Sequence, residues 1–276
     1  MEVDFKMEIC KEIAKLLKEV KNKRPLIHHI TNYVTVNDCA NITLALGASP
    51  VMADDIEEAA DMTSVSSALV INIGTLNKRT IESMLSSGRK ANEKGIPVIL
   101  DPVGIGATDL RTKTAEKLIS EIKFSVIKGN MSEIKAIAGI KGKIKGVDSE
   151  DSEAGGEKIA KDLSSRLNCI IAITGEKDIV SDGKRICTIE NGHKMLSEVT
   201  GTGCMTASLI GSFSGVTKDY YLSAAAGICS MGIAGEKAYK SLKGNEGIGT
   251  FRIRLFDGIY NLKEDDFIKG GRINEF

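Results

Sequence analysis

Residues 68–101 read ALVINIGTLNKRTIESMLSSGRKANEKGIPVILD. Ala68–Ile73 is a short, almost wholly apolar run bounded by a turn signal, which predicts a buried strand. Lys78–Lys94 has the composition of a helix, and Gly95 supplies its stop. Pro97–Leu100 is a second apolar strand, closed by Asp101 and Pro102. Two strands that bury both faces, joined by a helix, require a mainly parallel sheet covered by helices on both sides. Ligands in such sheets gather at the carboxyl ends of the strands, and Asp101 stands at that edge.

The alternation extends in both directions. Upstream, Ile9, Ile13, Leu16, Leu17 and Val20 share one face of a helix over residues 5–22. A strand at Leu26–Ile30, a helix at Val36–Leu46 stopped by Gly47, a strand at Ser49–Met52 and a helix near Ile56–Ser66 follow. Downstream, a helix near Thr112–Glu121 leads to a strand at Phe124–Ile127 and a helix near Met131–Ala138. Gly139–Gly156, rich in Gly, Lys and acids, reads as a surface excursion. A helix at Glu157–Arg166, a strand at Cys169–Thr174 and a hairpin of Ile179–Ser181 with Arg185–Ile189 around Asp182-Gly183 resume the pattern. Two or three helices fill the stretch from Cys204 to about Leu262. With no internal repeat or low-complexity tract, the expectation is an α/β fold in a single domain spanning residues 1–276.

The chain of 276 residues is 42% hydrophobic and 27% charged, an ordinary globular composition. Its 37 Lys+Arg balance 37 Asp+Glu, so it has no global field to collect nucleic acid or acidic membranes. Val199–Thr217 and Tyr220–Gly235 carry no charged residue. Both are studded with Gly, Ser and Thr and are read as buried central helices, not membrane spans. The N-terminal segment mixes acids and bases without the apolar block of a secretory signal, which gives a cytoplasmic expectation. Six scattered cysteines without a Cys-x-x-Cys pair argue against zinc ribbons and redox motifs and predict mostly reduced core residues.

The chemistry is narrowed first by what is missing. No Gly-x-x-x-x-Gly-Lys-Ser/Thr occurs, which excludes a P-loop enzyme. Gly104-Ile105-Gly106 comes late in the strand order and is followed by Asp109 where a third Gly belongs, so it is not a dinucleotide fingerprint. The segment Thr200-Gly201-Thr202-Gly203-Cys204 precedes an uncharged helix. Glycines at a helix N-terminus present backbone amides to an anion, and a phosphoryl group in transit needs such fixed donors. The same glycines also suit a tight turn that lets a buried helix approach the sheet. Cys204 in the first turn reads either as a thiol of lowered pKa touching the bound anion or as inert core. Asp101 reads as a partner for a metal or its water, or as an acceptor for amides of the following turn. Asn130-Met131-Ser132-Glu133 has capping-box spacing, yet Glu133 also falls near Asp101's edge. Two carboxylates near phosphates imply magnesium held largely through water. His28 and His29 end a strand, and with only His193 elsewhere they form no metal cluster.

Leu26-Ile27-His28-His29-Ile30-Thr31-Asn32-Tyr33-Val34-Thr35-Val36-Asn37-Asp38, followed by Gly47-Ala48-Ser49-Pro50-Val51-Met52, closely resembles the opening of the hydroxyethylthiazole kinase family. Asp101-Pro102-Val103-Gly104, Lys128-Gly129-Asn130 with Glu133, Gly146-Val147-Asp148-Ser149, Thr174-Gly175-Glu176, Gly201-Thr202-Gly203-Cys204 and Gly249-Thr250-Phe251 extend the match over nearly the whole chain. The resemblance implies a ribokinase-like three-layer α/β/α sandwich. It further implies transfer of the ATP γ-phosphoryl group to the hydroxyl of 4-methyl-5-(2-hydroxyethyl)thiazole in thiamine salvage, with magnesium, in a homotrimer with active sites at subunit contacts. Carried over, it places Asn32, Met52 and Gly201 on the thiazole alcohol, Lys128 and Thr174 on ATP, and Asp101 and Glu133 at magnesium. Gly201, Thr202 and Gly203 would form the anion hole beside Cys204. Two departures stand out. Lys128 replaces an Arg common in the family, which keeps the charge without the bidentate fork, and Cys204 sits where the wider ribokinase group has an Asp base. Another small alcohol of the pyrimidine or pyridine methanol kind, and a catalytically silent nucleotide-binding scaffold, are the alternatives.

Overall fold

A computed structural model describes residues 2–140 and 153–276. In chain order the elements are α1 (Glu2–Lys23), β1 (Leu26–Ile30), α2 (Val36–Leu46), β2 (Ser49–Met52), α3 (Ala59–Ser64), β3 (Ala68–Asn72), α4 (Lys78–Lys94) and β4 (Val98–Asp101). They continue with α5 (Asp109–Glu121), β5 (Val126–Asn130), α6 (Met131–Ile140), α7 (Glu153–Leu167), β6 (Ile170–Thr174), β7 (Asp178–Ser181) and β8 (Ile186–Ile189). A 3-10 turn (Lys194–Glu198), α8 (Thr202–Ser214), α9 (Tyr220–Lys240), α10 (Ile248–Tyr260), α11 (Glu264–Gly270) and β9 (Ile273–Glu275) follow.

One sheet runs in the order β2-β1-β3-β4-β5-β6-β7-β8-β9. Its first six strands are parallel, and β7, β8 and β9 are antiparallel. Period-two alternation sends neighbouring side chains to opposite layers. Val70 belongs to the core shared by α1, α2, α8, α9 and α10, whereas Leu69 and Ile71 belong to the core shared by α4, α5, α6 and α7. This is the three-layer α/β/α arrangement of the ribokinase-like fold. The chain leaves β1 for β2 on one side and returns to β3 on the other, so a crevice opens at their carboxyl ends.

The uncharged stretches form α8 and α9, and Met205–Ser214 is buried throughout. Small residues make this packing possible. A Cβ on Gly211 would lie 2.6 Å from Val70 Cγ2 on the sheet, and one on Gly227 would lie 2.7 Å from the Ile210 backbone nitrogen. No helix among the described residues is long and apolar enough to cross a membrane.

Several boundaries differ from the sequence reading. The strand expected at Phe124–Ile127 runs over Val126–Asn130, because each residue through Asn130 finds a parallel partner on β6. Lys128 therefore lies inside the sheet, where an ion pair compensates its burial. The helix expected over Ile56–Ser66 shrinks to Ala59–Ser64. The 3-10 turn, α11 and β9 were not expected. Gly146-Val147-Asp148-Ser149, and most of the surface excursion at Gly139–Gly156, lie outside the described residues.

Gly227→Ala should force α8 and α9 apart and destabilise the fold by about 2 kcal/mol, seen as a lowered Tm. Gly249→Ala, where an added Cβ meets nothing within 4 Å, should leave Tm unchanged or raise it.

Candidate active site

The carboxyl ends of β1, β3, β4 and β5 converge on the N-terminus of α8. Gly201 is the residue before α8 and has φ +92°, where L side chains are strained, and a Cβ there would sit 2.6 Å from Thr35 Cγ2. The amides of Thr202, Gly203 and Cys204 belong to the first turn and have no carbonyl four residues back within the helix. The Thr202 hydroxyl donates to Leu196 O at 2.9 Å, so Thr202 offers the corner only its backbone.

Beneath the corner lies a buried ion pair. Lys128 Nζ donates to Asp101 Oδ1 at 3.3 Å and to Gly203 O at 3.2 Å, and both side chains are at most 5% exposed. Burial works against the Lys128 ammonium, but the negative charge of Asp101, followed by Cys204 and Glu133, outweighs it and holds the lysine pKa above its ordinary value. Asp101 Oδ2 accepts from Asn72 Nδ2 at 2.7 Å. Of the two readings of Asp101, the turn acceptor is not what forms: its side chain serves Lys128 and Asn72, and the Val103 amide goes to the Asp101 backbone carbonyl.

Glu133 closes the capping box, its Oε2 accepting from Asn130 N at 2.8 Å while Asn130 Oδ1 accepts from Glu133 N at 2.9 Å. Its other oxygen accepts from Gly104 N at 2.9 Å, binding the β4–α5 loop to α6. Every oxygen of Asp101 and Glu133 thus has one donor and one lone pair to spare. That suits the water shell of a hydrated cation and not direct chelation. Among the described residues no cluster of three or more His, Cys, Asp or Glu gathers as a metal site.

Of the two readings of Cys204, the thiol of lowered pKa is not the one the site favours. Burial, then the charge of Asp101, raise its thiol pKa, and Thr35, Lys128 and Asn32 offset this only in part. The helix terminus does not produce the lowered value anticipated. Among the described residues the six cysteines form no disulfide; five are buried and Cys204 is half-buried. His28 and His29 are satisfied core residues. His28 Nε2 donates to Ala53 O at 2.7 Å, and burial pushes the His29 imidazole down to about 4, so it stays neutral.

A cavity of about 1040 Å³ opens beside the corner, lined by Thr174, Asp178, His193, Thr202, Gly203 and Met231 among others. Thr174 and Gly203 both line it. Asn32 joins the corner through Cys204 Sγ at 3.4 Å, whereas Met52 ends β2, beside His29 of β1, outside the hydrogen-bonded network. Sequence reasoning missed Asn72, which ends β3 opposite Asp101 and touches both Asp101 and Cys204. The available signal was an amide closing an otherwise apolar strand at the sheet's carboxyl edge. It also missed Asp178, buried at the cavity wall.

A helix N-terminus rich in glycine, backed by a paired lysine and opening on a cavity within this fold, defines a phosphotransferase of the ribokinase-like class. The hydroxyethylthiazole kinase family model matches residues 17–265. A hydroxyethylthiazole kinase of Ruminiclostridium cellulolyticum is 57% identical over 271 residues, 97% of this chain and 99% of that protein. The solved hydroxyethylthiazole kinase protein of Pyrococcus horikoshii OT3 superposes with a TM-score of 0.89 at 41% identity, covering 96% of this chain and 99% of that one. A pyridoxal kinase of Staphylococcus aureus, solved with AMP-PCP and pyridoxal, shares the fold at 14% identity and a TM-score of 0.57, over 76% of this chain and 86% of its own. The chain belongs to the hydroxyethylthiazole kinase family. Its activity is ATP-dependent phosphorylation of the hydroxyl of 4-methyl-5-(2-hydroxyethyl)thiazole, a step of thiamine salvage.

Asp178 accepts from Gly175 N at 2.9 Å, and burial raises its carboxyl to about 7. Because that value exceeds the unfolded one of about 3.9, its contribution to stability is complete below about pH 4 and is lost as pH rises to 7. Asp178→Asn stays neutral and should lack this loss. Its Tm relative to wild type should climb by several degrees from pH 4 to pH 7.5; parallel Tm curves would exclude the assignment.

Proposed function

We propose that phosphoryl transfer takes place at the Gly201–Cys204 corner, with ATP on the Thr174 side and the thiazole alcohol on the Asn32 and Met52 side. The observation behind this reading is the buried Asp101–Lys128 pair bonded to Gly203 O, which sets a fixed cation directly under the first-turn amides of α8. The amides of Thr202, Gly203 and Cys204 hold the three equatorial oxygens of the group in transit, and Lys128 adds a point charge. The alcohol oxygen bonds to the γ-phosphorus as the bond to the β,γ-bridging oxygen breaks, leaving ADP. Asp101 and Glu133 are the residues that would hold magnesium through its water shell, and the ion would supply neutralisation of phosphate charge there. Thr174, whose hydroxyl donates to Gly129 O at 3.4 Å, lines the nucleotide cavity.

Cys204 acts as a wall of the site more than as a base. Its raised thiol pKa keeps it protonated near neutrality, and a loose transition state leaves the alcohol proton in place until late. Lys128, held by Asp101 and Gly203, lacks the fork of an arginine and contributes charge without bidentate recognition.

The chain is taken to work as a single cytoplasmic kinase domain that assembles as a homotrimer. Supporting self-association, Tyr33, Val34, Leu44, Ile253 and Tyr260 are exposed apolar side chains. Leu44 and Tyr260 line a groove of about 470 Å³ that also includes Asp38 and Arg252, whose side chains form an ion pair. The loop bearing Tyr33 and Val34 leads from β1 past Asn32 into α2, so a neighbouring copy here would border the alcohol site. Sedimentation equilibrium at micromolar concentration should give three times the monomer mass of 29.6 kDa.

Single-turnover rates test the transfer site. Asp101→Asn and Glu133→Gln should each slow the chemical step by about 10²–10³-fold. Cys204→Ala should lose about tenfold or less, below the 10²–10⁴ typical of a general base. Cys204→Asp, whose carboxylate can accept from Asn32 and Asn72, should stay active. A Cys204→Ala loss exceeding that of either carboxylate variant would overturn the reading.

A further inference from the structure

We propose that Asn72 is a positioning residue whose two amide protons fasten the Asp101 carboxylate and the Cys204 sulfur to one rigid plane, so that both sides of the transfer site hold a common register. The proposal rests on the corner being the transfer site.

Asn72 is the last residue of β3, directly opposite Asp101 in the ladder and only 2% exposed. Its Nδ2 donates to Asp101 Oδ2 at 2.7 Å and to Cys204 Sγ at 3.2 Å. Its Oδ1 accepts from Asn32 Nδ2 at 3.0 Å and from Gly74 N at 2.9 Å. A primary amide has two protons and two acceptor sites, and all four are engaged. The orientation is therefore determined. Turning the amide over would set its NH₂ against the donors of Gly74 and Asn32 and its oxygen against the Asp101 carboxylate.

The two halves of the amide have separate tasks. The acceptor half builds the β3–α4 turn and holds Asn32. The donor half faces only Asp101 and Cys204. Asn32 Nδ2 also reaches Cys204 Sγ at 3.4 Å, so the sulfur accepts hydrogen bonds from two side-chain amides. The charged and titratable groups around that sulfur are Asp101 on β4, Lys128 on β5 and Cys39 on α2. Asn72 on β3, with Asn32 and the Thr35 side chain from the segment between β1 and α2, completes its hydrogen-bonding surroundings.

Asn72→Asp preserves size and the acceptor half while deleting both protons, and so isolates the donor role. The first readout is the rate–pH profile of Cys204 alkylation by iodoacetamide in the protein without ATP or alcohol, since the other five thiols are buried. The second is steady-state kcat with KM for ATP. Loss of the sulfur's donor beside a new negative charge should move the alkylation midpoint upward by about one pH unit, slowing reaction at pH 8.5 about tenfold. Turnover should fall about 100-fold with KM for ATP within threefold of wild type. Asn72→Ser, which keeps a short acceptor for Gly74 without reaching Asp101 or Cys204, should shift both readouts in the same direction by a smaller factor, and serves if the first variant does not fold. An unmoved alkylation profile in a folded variant overturns the proposal even if turnover falls, while leaving the transfer site intact. A shifted profile with kcat within threefold of wild type overturns the placement of the reaction at this corner, and the proposal with it.

Discussion

Burying the Lys128 ammonium is the constraint from which the active edge takes its form. An amino group sealed inside a sheet stays charged only if a counter-charge and further acceptors surround it. Asp101 on the adjacent strand supplies the charge, and the Gly203 carbonyl supplies an acceptor. Meeting both demands draws β4, β5 and α8 to one point. The carboxylate, thus fixed, takes a second donor from Asn72, and Asn72 ties in β3 and, through Asn32, the end of β1. Four strands and a helix are registered by a chain of hydrogen bonds that starts from one lysine.

The glycine corner depends on this framework and in turn completes it. Gly201 takes a backbone angle closed to other residues and passes within reach of Thr35, and a Cβ on Gly203 would lie 3.1 Å from Lys128 Nζ. Of the two readings of the glycines, the close approach of helix to sheet is the one these contacts realise. The same residues that let α8 descend onto the sheet leave its first amides facing the cavity.

Much of this was legible in the chain. Apolar runs such as Ala68–Ile73 and Pro97–Leu100 fixed the layers, because a strand without a polar face admits no other environment. Asp101, Glu133 and the glycine segment announced themselves by standing at strand or helix ends. The strand through Lys128 did not, since a lysine in an apolar run normally marks its limit, and only the partner 27 positions earlier in the chain explains its burial. Two states of Cys204 stayed open in the sequence for a related reason. A helix terminus is visible in sequence, but the carboxylate facing the sulfur from another strand is not. Asn72 escaped notice because its importance lies wholly in long-range partners. Residues 263–276, with few apolar positions, gave no sign of α11 or β9.

The pairing of β9 with β8 has an implication for synthesis of the chain. Cys187–Ile189 is hydrogen-bonded to Ile273–Glu275, and about eighty residues separate the two strands. At roughly 5–20 residues per second, a ribosome needs of order ten seconds to make them. Throughout that interval the nascent β8 presents an open row of amides and carbonyls, a template for any extended peptide nearby. Chaperone dependence during translation, and the risk of misassembly, should concentrate in that window.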